Sequence, residues 1–387
     1  MKKIYDSTSR RRFLALTGVS AAGLSGCLSQ NEPDNGTDED HPNTYTDHPH
    51  EENPYDLSDR PEPGGTPMAE LPELKGELNL YLGRGEGGLY QGLIDRIESR
   101  YDDFEITVKQ NRSASLANTI VEEEKAGKSP ADVFWSIDAG SLGTVADDEY
   151  TRKLPDRILD KVRKEFRSPK GQWVGTAGRA RAVPFNTRML SKNEIPNSVK
   201  EFPKKSEFQD KIGWAPSYGA FQSFVTAMRL MWGDGETKKW LKGIQDLGVK
   251  SYPDEFVLSN AVADGEIELG FANHYYPVRV KQDRKNAPLQ QKFMSGGPGA
   301  LVNVAGAEVI SSSDQPENAA NFIGHLLSAE AQEYFATTTF AYPMISGVKP
   351  VGNLPPVNEL NPPDINLSKL SNIRPTLDLM RKAGIEV

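Results

Sequence analysis

The chain has 387 residues, 37% of them hydrophobic, a formal charge of −9 and a single cysteine. That length suits about two domains, the composition is that of an ordinary globular protein, and one cysteine excludes an intramolecular disulfide and a thiolate metal cluster. The charge is uneven: residues 1–27 carry five cations against Asp6, residues 28–70 carry twelve acids against Arg60 alone, and the rest is nearly neutral, so no nucleic-acid footprint is expected.

In chain order, Ser9-Arg10-Arg11-Arg12-Phe13-Leu14 precedes a short apolar run, Leu14 to Leu24. The run is too short to span a bilayer and reads as the core of an export signal. The arginines resemble a twin-arginine signal. Leu24-Ser25-Gly26-Cys27 resembles the box at which lipoproteins are cleaved and acylated, which makes Cys27 the expected lipid anchor. Residues 28–70 hold seven prolines and almost no aliphatics, too little apolar surface to offset chain entropy. An extended acidic tether over 28–75 is expected, with His41, His48 and His50 as solvated linker residues.

Folded sequence is expected from Gly76. Glu77 to Leu82 alternates as a strand, Leu89 to Tyr101 has apolar residues at helical spacing, and Phe104 to Gln110 is a second strand. Residues 115–125 form a helix closed by Gly127, and Ala131 to Trp135 is a third strand. This β-α-β-α-β order predicts a parallel sheet flanked by helices. It recurs with Gly213 to Ala215, helices through Phe221 to Met231 and Thr237 to Leu247, and a buried strand from Ile267 to Ala272. Ala319 to Phe335 reads as one helix on the sheet, with His325 structural. The five tryptophans read as core or lobe-surface aromatics rather than a sugar platform, and the basic run Lys161 to Lys170 as a solvated face.

Gly83-Arg84-Gly85-Glu86-Gly87-Gly88 matches G-x-G-x-x-G between strand and helix. The acid that a dinucleotide site needs near the end of the next strand is replaced by Gln110-Asn111. The loop still favours an anion at a helix N-terminus, with Arg84 and Glu86 at its mouth. There is no H-E-x-x-H, no G-x-S-x-G and no cysteine nucleophile, so catalysis led by His or Cys has no support. In Asn273-His274-Tyr275-Tyr276 two phenols stand side by side. They could supply anionic oxygen to a hard trivalent cation, or form an aromatic pair that stacks on neighbours or on an organic ligand.

Five stretches, Lys128 to Phe134, Gly178 to Arg181, Ala215 to Phe221, Asn273 to Tyr276 and Pro298 to Val302, resemble in order and spacing the ferric-iron-binding proteins of ABC importers. The resemblance covers roughly residues 76–387. It implies an α/β, two-lobed periplasmic-binding-protein type II fold that closes on its ligand about two crossing strands, near Arg179 to Pro184 and Val302 to Ala305. It also implies Fe(III) on Tyr275 and Tyr276, with a synergistic anion held by Arg179, Gly219, Ala220 and Asn273. The serine of the family's anion turn is here Tyr218, a third phenol. Gly85 and Ile137 stand where many relatives carry a histidine and a glutamate. The neighbouring acids Glu86 and Asp138 are the candidates to complete the metal sphere, and Arg84 joins the anion set.

The resulting expectation is a non-enzymatic, lipid-anchored, monomeric solute-binding protein on the outer face of the cytoplasmic membrane. It would deliver ferric iron to an ABC permease and its ATPase and bind no nucleic acid. The alternatives are the same role for thiamine, a polyamine or a phosphonate-like solute, and an exported α/β enzyme. Its expected segments are a signal (1–27), the tether (28–75), a first lobe (76–179 plus 303–350) and a second lobe (180–302 plus 351–387).

Overall fold

A computed structural model describes residue 57 and residues 60–84 and 88–387. The signal, Cys27, most of the tether and Glu86 lie outside the described residues. Strands β1 (Gly76–Gly83), β2 (Phe104–Asn111) and β3 (Val133–Ser136) pair in parallel with β1 central. Their crossovers are α1 (Leu89–Glu98) and α2 (Ser113–Lys125). Helix α1 buries Tyr90, Leu93, Ile94 and Ile97, the i, i+3, i+4, i+7 stripe that faces a sheet. After α2 the chain turns at Gly127, whose φ of 121° suits glycine.

Beyond α3 (Ala139–Asp147) and α4 (Asp156–Leu159) comes the fourteen-residue β4 (Trp173–Asn186). Its second half meets a smaller α/β unit: β5 (Ile212–Trp214), α5 (Gly219–Asp246), β6 (Lys250–Ser251), α6 (Glu255–Asp264), β7 (Leu269–Gly270), β8 (Ala272–Asn273), α7 (Tyr275–Asp283) and β9 (Leu289–Lys292). Helix α5 breaks at Gly233, with φ 78° and ψ 164°, which is why its two halves read as separate helices. The chain then returns through β10 (Val302–Val309), α8 (Pro316–Leu326), α9 (Ala329–Tyr334), β11 (Tyr342–Pro343) and α10 (Arg374–Lys382).

Strand β4 joins the two halves. Residues Trp173 to Ala180 pair antiparallel with β10, and β11 lies on the same stretch at Ala177 and Gly178. Residues Arg181 to Asn186 pair with β8, β9 and β7. The sheet order is β2-β1-β3-β10-β4-β7-β5-β6. The expected parallel sheet is therefore mixed, because β10 enters antiparallel between β3 and β4. One core gathers β1, β3, β10 and the helices around them, with Trp135 stacked on Tyr90 at 4.6 Å. A second gathers Phe185, Trp214, Phe221, Phe224, Trp240 and Phe271. Burial of each such side chain contributes about 1.5–3 kcal/mol.

Three boundaries differ from the expected ones. Residues 60–75 pack on the body: Met68 and Leu74 are buried, and Gly64 N–H donates to Gly347 O at 2.9 Å. Arg60 forks onto both oxygens of Glu333 at 2.5 and 2.8 Å. A tether's composition hides this, because one arginine finds its partner 273 residues away. The C-terminal tail is shared: Leu360, Leu367 and Leu370 enter the first core, and Met380, Ala383 and Ile385 enter the second. The run Ala319 to Phe335 is two helices, since Ser328 caps α9 by accepting from Ala331 N–H.

Glu308 on β10 is fully buried opposite Phe134 and Trp173, and neither carboxyl oxygen meets a donor among the described residues. Burial alone pushes its carboxyl well above the usual carboxylate range. As pH rises past about 4.3 the unfolded chain releases this proton while the folded chain keeps it, so stability falls with rising pH. Glu308→Met is expected to gain about 1–3 kcal/mol at neutral pH. The gain should vanish near pH 4, measured by denaturant melts at both values. A variant less stable than the parent at neutral pH would contradict this.

Candidate functional site

Ligands of open α/β sheets bind beyond the carboxyl ends of the strands. In the first half, the ends of β1 and β3 meet the start of α2: Ser113 Oγ accepts from Ile137 N–H at 3.1 Å. A Cβ on Gly83 would lie 2.1 Å from that oxygen, so any side chain there would displace the Ser113 hydroxyl from Ile137. Arg84 is exposed and Ile137 half-buried. Asp138 caps α3, accepting from Ser141 N–H at 2.7 Å and from its hydroxyl at 2.9 Å. Among the described residues no three His, Cys, Asp or Glu side chains cluster as a metal site.

In the second half the phenols converge. Tyr275 and Tyr276 open α7 just after β8, where successive side chains diverge by only about 100°. Their rings lie 4.3 Å apart, and Tyr218 reaches in from the start of α5 to share a hydrogen bond between its hydroxyl and that of Tyr276. Both residues of the pair are buried, with Leu57, Tyr218, Phe256 and Leu354 packed on the cluster they form with Val278, Phe340 and Val351. The Arg279 guanidinium lies 4.8 Å from the centre of the Tyr275 ring. Burial, then the neighbouring phenols and Glu255, push the Tyr276 hydroxyl well above the usual range, so it is protonated when nothing is bound.

Tyr218 is the N-cap of α5, and no side chain caps that helix end; Gly219 is exposed and Ala220 half-buried. The first N–H groups of a helix lack intrahelical acceptors, which is the general basis of anion binding at such ends. Arg179 lies on β4 opposite Asn303. Asn273 is buried, donating its N–H to Glu255 at 2.7 Å and accepting from Arg181 at 3.1 Å. The structure thus brings Tyr218, Gly219, Ala220, Asn273, Tyr275 and Tyr276 to the carboxyl end of the second unit's strands. Arg84 and Asp138 stand at strand ends of the first.

Sequence reading missed the groups beneath the pair. Arg181 and Glu255 form an ion pair at 2.5 Å, 4% and 0% exposed. Burial pushes the Glu255 carboxyl up, and Arg181 and the Asn273 N–H offset this. Period-two alternation places Arg179 and Arg181 on one face of β4, a signal that could have flagged the second arginine. Nothing in the sequence marks Glu255 as buried. His274 is fully buried, with its imidazole held neutral by desolvation, its pKa lowered to about 3. His325 is structural, as expected: its ring bridges the Tyr101 hydroxyl at 2.6 Å and Asn321 O at 2.8 Å.

Residues 92–359 match the family model described as bacterial extracellular solute-binding protein. The chain belongs to that family. This solute-binding protein is 30% identical over 293 residues to the major ferric iron-binding protein of Neisseria meningitidis, which covers 74% of this chain and 87% of the relative. It is 28% identical to the Fe(3+)-binding periplasmic protein of Serratia marcescens, over 73% and 83% of the two chains. Its fold matches iron-bound HitA from Pseudomonas aeruginosa with a TM-score of 0.70 at 27% identity, over 80% of this chain and all of the other. The solute-binding protein therefore has the type II periplasmic-binding fold expected from the sequence, and the family expected from it as well. Among the described residues no helix is long and apolar enough to cross a membrane.

Proposed function

We propose that this solute-binding protein captures ferric iron for an ABC importer, with Tyr275 and Tyr276 as direct ligands and Tyr218 beside them. The observation that carries this reading is the convergence of the three phenols, with Tyr218 and Tyr276 hydroxyls in contact. Ferric iron is a hard cation that favours anionic oxygen, and three phenolates would match its charge without a carboxylate. The ferric-binding relatives from Neisseria and Serratia support the same cargo. An anion would sit on the Gly219 and Ala220 N–H groups, with Asn273, Arg179 and Arg84 around it. From the first lobe Asp138 would have to exchange Ser141 for the ion, and Glu86 is the other candidate. The protein would catalyse nothing. Its anchoring through Cys27, its export by the twin-arginine route and its delivery to a permease and ATPase rest on the signal sequence and the family.

Each phenol must lose a proton to bind, so uptake should strengthen as pH rises. Titrating ferric citrate into the full chain is expected to raise a visible phenolate-to-iron charge-transfer band that weakens on acidification. No band across neutral pH would overturn the iron assignment, and saturable binding of thiamine, a polyamine or a phosphonate instead would replace it with an organic cargo.

A further inference from the structure

His274 precedes the tyrosine pair and touches both halves of the molecule. Its backbone N–H donates to Ala180 O on β4 at 2.9 Å. In its ring, Nδ1 accepts from Ala180 N–H at 3.2 Å and Nε2 meets Phe340 O at 2.9 Å. An acceptor at Nδ1 fixes the proton on Nε2, so the imidazole donates to Phe340. The ring also lies 4.4 Å from that of Tyr342, which pairs with Gly178 on β4.

The Phe340 end of this bridge is unusual backbone. A π-helical turn, Phe335–Thr339, follows α9, and Phe340 then takes φ 59° and ψ 21°. Left-handed backbone at a non-glycine residue persists only where its surroundings over-determine it, and π-turns recur at functional sites. Here the flanking residues Phe335, Ala336, Ala341 and Tyr342 belong to the first core, while the Phe340 side chain packs with Tyr275 and Tyr276. The imidazole donates to the carbonyl of the residue whose side chain rests on the phenols.

We propose that His274 is a positioning residue that couples the phenol-bearing turn of the second lobe to the strained Phe340 turn of the first through its Nε2–H···O bond. Movement of either turn then reaches the other through one fully buried ring, and the phenols keep their placement only while the first-lobe turn is held. This deepens the ferric reading and rests on it for the identity of the cargo, but the coupling itself concerns the empty protein too.

Two variants separate the bridge from general packing. His274→Asn places an oxygen where Nδ1 was, keeping the acceptor for Ala180, but is too short to reach Phe340. His274→Gln carries an amide N–H toward the Nε2 position. The full chain is followed by hydrogen exchange with and without ferric citrate, and by the visible band. Without iron, His274→Asn is expected to raise exchange in residues 335–343 and 275–279 together, and His274→Gln to restore both. With ferric citrate, iron release from His274→Asn is expected to be about 10–100-fold faster, and close to the parent in His274→Gln. Unchanged exchange of 335–343 in His274→Asn, or loosening that His274→Gln fails to restore, would overturn the coupling. If the parent shows no band while the two segments still loosen and recover together, the coupling stands and the ferric cargo falls.

Discussion

Tyr276→Phe is expected to weaken ferric binding by more than about 100-fold, beyond the 10–100-fold typical of losing a mere supporting contact to a metal ligand. It should also remove most of the charge-transfer band. The phenylalanine ring keeps the packing against Tyr275, at 4.3 Å, and Phe256, at 6.4 Å, so the fold should be retained and the loss assigned to one oxygen. Tyr275→Phe should be comparable. Tyr218→Phe should cost less if Tyr218 acts by hydrogen bonding to the Tyr276 phenolate, and as much if it is a third ligand. Competition against citrate, read in the visible, gives the affinities. An organic cargo stacked on the rings would bind Tyr276→Phe nearly as well as the parent, so unchanged affinity would remove Tyr276 from the metal sphere.

What could be read in advance follows the range of the forces involved. The parallel unit around β1 was legible because alternation and helical spacing are local and its helix ends carry their own stop signals, Gly127 among them. The antiparallel entry of β10 was not, since Val302 to Val309 reads as a buried strand whichever way it runs. The phenol pair was visible as a motif, but its partner Tyr218 lies 58 residues earlier and was reached only through resemblance. Arg60, Glu255 and Leu57 were missed for one reason. Each is charged or isolated in the sequence and acquires its role from a contact that local pattern cannot encode. Asp138 shows what sequence hides in the other direction: an acid near the site reads as a ligand, and its hydrogen bonds to Ser141 at a helix start come into view only in the fold.

Glu255→Ala is expected to destabilise the fold by about 3–5 kcal/mol, because it strands the Arg181 guanidinium in the core. Arg181 is 4% exposed, packs over Phe224 at 4.9 Å and has one terminal nitrogen, Nη2, already without a partner among the described residues. Removing both charges should cost far less: Arg181→Met with Glu255→Leu replaces an ion pair by apolar groups of similar length, a change often neutral or stabilising. The non-additivity in denaturant melts measures the pair directly. The double variant also separates stability from function, since it deletes the acceptor for Asn273 N–H and the donor to its side chain. It should therefore melt near the parent yet bind ferric iron more weakly, because the turn that aims Tyr275 and Tyr276 has lost two of its buried supports. A double variant with the parent's affinity would show that β8 and His274 alone hold that turn.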